Sequence, residues 1–111
     1  MAREFVMTPV FDKLWKSVKL NDDNLRELQT HLIKYPHSGD VMQGTGGARK
    51  IRYALFNIGK SGGVRVIYLD IAHAQTLFLL YCYPKNKQGD LTREQKKQVK
   101  MIVDALKGEY R

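Results

Sequence analysis

The eight residues Thr76 to Tyr83, TLFLLYCY, are apolar at nearly every position. A strand with one wet face alternates, so a short run apolar at both parities reads as a strand inside a sheet. Two segments before it complete the pattern. RKIRYALF (49–56) puts Ile51, Tyr53 and Leu55 on one face and Lys50, Arg52 and Ala54 on the other. GVRVIYLD (63–70) sets Arg65 among β-branched residues. NIGKSGG and IAHAQ between them read as hairpin connections, which makes the three strands antiparallel neighbours.

The flanks are helical. The opening EFVMTPVF suits a short edge strand, with Pro9 ending it. Phe11, Leu14, Trp15 and Val18 then recur at i, i+3, i+4, i+7. A second helix, capped by Asp22 or Asp23, carries Leu25, Leu28, Leu32 and Ile33 and stops near Tyr35 before Pro36. HSGDVMQGTGG reads as a glycine-punctuated loop. Thr92 and Gln95 fit a capping box that opens a last helix to about Lys107, with Val99, Ile102, Val103 and Leu106 as its stripe and Gly108 as its stop.

These elements predict an α+β fold of order β-α-α-β-β-β-α. Its sheet is small and antiparallel, mixed only if the edge strand joins in parallel, with the helices on one face. The 111 residues form one domain, 1–111. No apolar run approaches the ~18 residues of a membrane span, and MAREFVMTPVF lacks a signal-peptide layout, so a cytoplasmic location and no membrane contact are expected.

Nineteen Lys and Arg against eleven Asp and Glu give a net charge of +8, which favours a polyanionic partner. Where the charge lies says more than its size. Between Asp40 and Asp70 there is no acidic residue, yet Arg49, Lys50, Arg52, Lys60 and Arg65 all fall there. Lys50 and Arg52 share a strand face, Arg65 lies on the neighbouring strand, and Lys85 and Lys87 follow the third. Paired as antiparallel neighbours, these strands would gather the cations on one surface. Solvated turn lysines and charge on an edge strand are the plain alternative for Lys87. Arg65 is different: flanked by valines in a strand, it needs a partner that its neighbours in sequence do not offer.

Other chemistry finds little support. GTGG (44–47) and GKSGG (59–63) lack the spacing of a phosphate loop. His31, His37 and His73 show no ligand spacing, so no metal or other cofactor is expected. Cys82, the single cysteine, sits in the apolar strand as a small core hydrophobe. Tyr53, Tyr81 and Tyr83 suit either base stacking or the core.

In their order and spacing, GDVMQGTGGARKIR, SGGVRVIYL and FLLYCYPKNKQGDLT, followed by a short basic helix, resemble the RelE/HigB superfamily of toxins from type II toxin–antitoxin systems. The HigB-like branch is the nearest in pattern, and the likeness spans nearly the whole chain. It implies a toxin that enters the A site of the small ribosomal subunit and cuts mRNA without metal, inhibiting translation. The 2′-hydroxyl attacks the adjacent phosphate. By the same resemblance Lys50 would act as general base or 2′-hydroxyl activator, and Arg52 would hold phosphate. Arg65 would stabilise charge on the scissile phosphate, and Lys85 would serve as general acid or charge neutraliser. Arg49, Lys60 and Lys87 would contact the RNA around them. The implied partners are a cognate antitoxin, the ribosome and mRNA. With no helix-turn-helix in this chain, operator DNA would be bound by the antitoxin. The catalytic tyrosine that RelE proper carries after its last strand has no counterpart in GDLTRE. Two other functions fit the same fold: a gyrase-directed, ParE-like toxin and an inactive basic RNA-binding domain.

Overall fold

The computed structural model describes residues 3–18, 20–53, 63–85 and 87–111. Strand β1 (Glu4–Met7) leads into α1 (Pro9–Ser17) and α2 (Asp22–Lys34). Strands β2 (Asp40–Val41), β3 (Arg49–Tyr53), β4 (Val64–Ile71) and β5 (Thr76–Pro84) follow, and α3 (Arg93–Glu109) closes the chain. Among the described residues the sheet order is β1-β5-β4-β3-β2, with β1 and β5 parallel and the other neighbours antiparallel. The α+β class and the mixed edge are as expected from the sequence. The NIGKSGG connection lies outside the described residues, as do residues 54–56 of the first strand segment.

The placement of the helices differs from expectation. They cover both faces of the sheet. Phe11 and Trp15 of α1 and Leu28 and Leu32 of α2 pack with Val64, Val66, Tyr68, Leu77, Leu79 and Cys82 on one face. Val99 and Val103 of α3 pack with Ile67, Leu69, Ile71, Phe78 and Leu80 on the other. The cause lies in β4 and β5, which are apolar at both parities: neither face can be left to water, and α3 brings the second stripe.

Local chemistry sets the element ends. Thr8 caps α1 by accepting from the Phe11 amide at 3.0 Å, and Pro9 takes the first turn, where a missing N–H costs nothing. The cap of α2 is Asn21, not Asp22 or Asp23, because Asn21 and Asn24 exchange side-chain-to-backbone bonds at 2.9 and 3.1 Å. Thr92 and Gln95 form the expected capping box of α3. Gly108 does not stop that helix. α3 runs on to Glu109, the Tyr110 amide bonds the Leu106 carbonyl at 2.9 Å, and the Tyr110 ring packs edge-on against Phe78.

The HSGDVMQGTGG segment is held firmly rather than looped freely. It contributes β2, and the fully buried Thr45 donates to the Met42 carbonyl at 2.7 Å while accepting from the Ala48 amide at 3.1 Å. The buried Tyr68 hydroxyl accepts from the Gly39 amide and donates to the Pro36 carbonyl, both at 2.9 Å. A Cβ on Gly39 would lie 2.9 Å from that ring and from the Lys50 carbonyl, so glycine lets this segment lie flat against β3. Replacing Tyr68 with phenylalanine leaves two backbone groups unpaired. It is expected to cost about 2 kcal/mol in chemical denaturation with the fold retained.

Candidate nucleic-acid interface

Pairing on the α3 side of the sheet sets out two rows of side chains. Arg52 lies directly opposite Arg65, and Arg65 directly opposite Tyr83. One step along, Lys50 lies opposite Ile67, and Ile67 opposite Tyr81. Directly opposed residues of antiparallel strands project to the same face. Ile67, Tyr81 and Tyr83 pack in the α3-side core, so Lys50, Arg52 and Arg65 share that face.

A bulge aims the tyrosines. Register shifts from Tyr68↔Leu79 to Ile67↔Tyr81, which leaves Leu80 as the extra residue. Leu80 and Tyr81 therefore both turn toward α3, and Cys82 turns to the α1–α2 core. Without the bulge, Tyr83 would share the parity of Leu77 and Leu79 and face away from Arg65.

The turn before α3 brings in an acid. Asp90 Oδ1 lies 3.5 Å from Lys50 Nζ, and Oδ2 lies 4.0 Å from Lys96 Nζ. The Leu91 amide also donates to Asp90 Oδ1 at 2.8 Å. That backbone bond first, then Lys50 and Lys96, hold the Asp90 carboxyl below its ordinary value of 3.8, against the opposing effect of burial. A lowered folded value adds stability that is present above the ordinary carboxylate range and is lost as pH falls through the lower value. Carbon-detected NMR titration is expected to find Asp90 below 3.8, and Lys50→Ala is expected to move its midpoint up.

The tyrosine hydroxyls are bound differently. Tyr81 Oη accepts from Gln95 Nε2 at 2.8 Å. Tyr83 is 3% exposed, and its hydroxyl has no hydrogen-bond partner among the described residues. Burial above all, with the Asp90 carboxylate next, raises the Tyr83 phenol, while Arg65 pulls the other way. The hydroxyl stays protonated at neutral pH. Arg65 Nη1 is also buried without a hydrogen-bond partner among the described residues.

Three of the sequence-predicted residues, Lys50, Arg52 and Arg65, thus meet on one face. Lys85 sits at the same end of the sheet: its amide bonds the Gly63 carbonyl at 3.0 Å, and its Nζ turns back to the Gly89 carbonyl at 3.3 Å. Lys87 is exposed on the turn that follows. Arg49 does not join them. It lies opposite Tyr68, so it projects to the α1–α2 face, and its Nη1 binds the Gly39 carbonyl at 2.8 Å and the His37 carbonyl at 3.3 Å. Odd-numbered Arg49 has the wrong parity for the site. Lys60 lies outside the described residues. Tyr53 packs in the α1–α2 core against Trp15, with its hydroxyl on Glu27. Cys82 is fully buried, and burial pushes its thiol up to about 12, which suits an inert core residue. Among the described residues no cluster of His, Cys, Asp or Glu could hold a metal ion.

Asp90 is a functional candidate that sequence reasoning passed over, and Tyr83 suits base stacking or the core by sequence, without a role for its hydroxyl. Asp90 lies 40 residues from Lys50, and no local spacing joins them. Its place just before a capped helix was the available signal, since a capping box fixes the entry of the chain. Tyr83 gave none, because its direction depends on the bulge.

Comparison with known proteins places the chain by family and by fold. The family model for the RelE toxin of the RelE/RelB toxin–antitoxin system matches residues 4–109. A doubly substituted E. coli RelE toxin in the free state superposes with a TM-score of 0.57 at 18% identity, covering 80% of this chain and 90% of that one. The intact E. coli RelBE toxin–antitoxin complex gives 0.56 at 18% identity, over 75% of this chain and 96% of that one. The isolated E. coli RelE toxin gives 0.55 at 18% identity, over 91% and 99%. At that identity the structures speak for the fold, and the family match carries the assignment. With a five-stranded mixed sheet, three helices and a family match from residue 4 to residue 109, this chain belongs to the RelE toxin family.

Proposed function

We propose that this toxin is a ribosome-dependent mRNA endoribonuclease, held in check by a cognate antitoxin. The observation that carries the reading is the row Arg52–Arg65–Tyr83. Like charges directly opposite each other are unfavourable for folding, and an anion bound between two arginines would offset that cost. A phosphodiester presents that anion, and a guanidinium can grip it with two parallel N–H donors.

The chemistry asks little more of the protein. The 2′-oxygen forms a bond to phosphorus as the P–O5′ bond breaks, giving a 2′,3′-cyclic phosphate and a 5′-hydroxyl. Arg65 and Arg52 would carry the charge that gathers on the non-bridging oxygens, the kind of term that contributes most to such catalysis. Lys50, one row away, would act at the 2′-hydroxyl after leaving Asp90. Lys85, beside Gly63 at the strand end, would neutralise or protonate the departing 5′-oxygen. Lys87 would touch the RNA at the rim, and Arg49, bound to backbone on the far face, drops from the interface.

The antitoxin would cover this face and bring further negative charge to it. A gyrase-directed toxin of the same fold has no need for the opposed arginines, which favours the nuclease. Primer extension on a translated mRNA, with and without ribosomes, tests the reading. Cuts that require ribosomes support it; translation arrest without cuts would sink it in favour of another target. RNA binding that salt abolishes, with neither arrest nor cuts, would point to the inactive RNA-binding domain.

A further inference from the structure

Buried polar groups without partners are rare in folded proteins, and each one calls for an explanation. Tyr83 Oη and Arg65 Nη1 are two of them, on residues directly opposed across β4 and β5 and projecting to the same face. The guanidinium can only donate, and the raised phenol keeps its proton to donate too. Two donors side by side call for a shared acceptor. Arg52 continues the row on one side, so the acceptor that fits is anionic.

An anion already sits close by. The Asp90 carboxylate spans Lys50 and Lys96 at 3.5 and 4.0 Å, and Lys50 stands on the same face one row from Arg65 and Tyr83. Its side chain is half exposed, so it can swing away without disturbing the core. We propose that Tyr83 Oη and Arg65 Nη1 form one seat for a non-bridging oxygen of the scissile phosphate, and that Asp90 closes this seat in the RNA-free protein by holding the lysines beside it. The inference rests on the endoribonuclease reading and adds Tyr83 to it as a catalytic residue that donates to the reacting phosphate. Binding then exchanges one anion for another: the phosphate takes Arg65 and Tyr83, Lys50 is released to the neighbouring 2′-hydroxyl, and Asp90 retains Lys96.

The experiment uses the full chain with two probes, inorganic phosphate and a trinucleotide blocked by a 2′-O-methyl group. NMR titration is expected to shift the Tyr83 ring and Arg65 side-chain resonances with either probe. Tyr83→Phe is expected to weaken binding about tenfold, the effect of one hydrogen bond to a charged group. Asp90→Asn is expected to tighten it several-fold. In the ribosome assay Tyr83→Phe should lower kcat about tenfold with little change in KM. Its melting temperature should hold or rise, since the hydroxyl it removes has no partner. Unchanged binding in Tyr83→Phe, or a fall in its melting temperature of several degrees, would overturn the seat. Binding at the seat by a wild-type protein that cuts no mRNA would uphold the seat and defeat the nuclease reading.

Discussion

Arg65→Ala is expected to lower ribosome-dependent cleavage by about 100- to 1,000-fold, the usual effect of removing one preorganised donor from a charged transition state. Three features of Arg65 make the expected loss this large. It stands in the middle of the row, between Arg52 and Tyr83. Its Nη1 has no hydrogen-bond partner among the described residues, so that donor is not committed to holding them together. The rigid strand β4, paired on both sides, spares it the entropy that a loop residue would lose on binding. Stability should move little, within about 1 kcal/mol, because lost packing of the side-chain stem is offset by relief of the repulsion from Arg52. Arg65→Lys keeps the charge and loses the fork, so it should recover only part of the rate. Quantified primer extension alongside thermal melting separates these outcomes. A loss of cleavage that tracks a loss of folded protein would refute a direct role.

The largest expected effect on stability lies elsewhere. Asp70, at the end of β4, is 2% exposed and takes two bonds from Arg3, Nε to Oδ1 at 2.7 Å and Nη2 to Oδ2 at 3.0 Å. His37 Nε2 lies 3.3 Å from the same carboxylate. One acid thus joins the start of the chain, the segment after α2 and the centre of the sheet. Asp70→Ala leaves the Arg3 guanidinium, itself 15% exposed, without its counter-charge. Removing one partner of a buried pair costs about 3–5 kcal/mol, and the partial exposure of Arg3 brings the expected loss to about 2–4 kcal/mol. A melting temperature lower by about 10 °C or more follows for a domain of this size. β1 should loosen first, since its four residues pair only with β5. Hydrogen exchange would show this as lost protection at Phe5 to Met7. Arg3→Ala strands the more deeply buried Asp70 carboxylate beside His37 and should cost at least as much, and the double variant less than the sum, if the pair acts as a unit.

Much of this protein was legible in its residue order. The capping box at Thr92 and Gln95, the stripes of α1 and α3, and the stop before Pro36 are signals within four residues of one another, where local sterics and hydrogen bonding decide the outcome. The same holds for Lys50 and Arg52. Spaced by two on a strand, they share a face whatever else the chain does. Arg65 stood out because a strand arginine among valines needs a partner, and it does lie on that face. The apolar character of TLFLLYCY at both parities already required cover on both sides, although the helix stripes alone did not say which helix went where.

What lay beyond the sequence depends on contacts between distant segments. The turn of Tyr83 toward Arg65 rests on one extra residue at Leu80, and a bulge is chosen by how β5 fits β4 rather than by the apolar run itself. The exclusion of Arg49 follows from its register against Tyr68 and from carbonyls that the Pro36–Gly39 segment brings within reach. The pairing of Lys50 with Asp90 spans 40 residues and exists only because α3 packs across the second face and carries its leading turn to the sheet's cationic corner. Spacing along the chain thus determined which residues could act and which of them shared a strand face. Packing between segments decided which of them meet, because register and helix placement are set by burying apolar surface across the whole domain, a free energy that no local window contains.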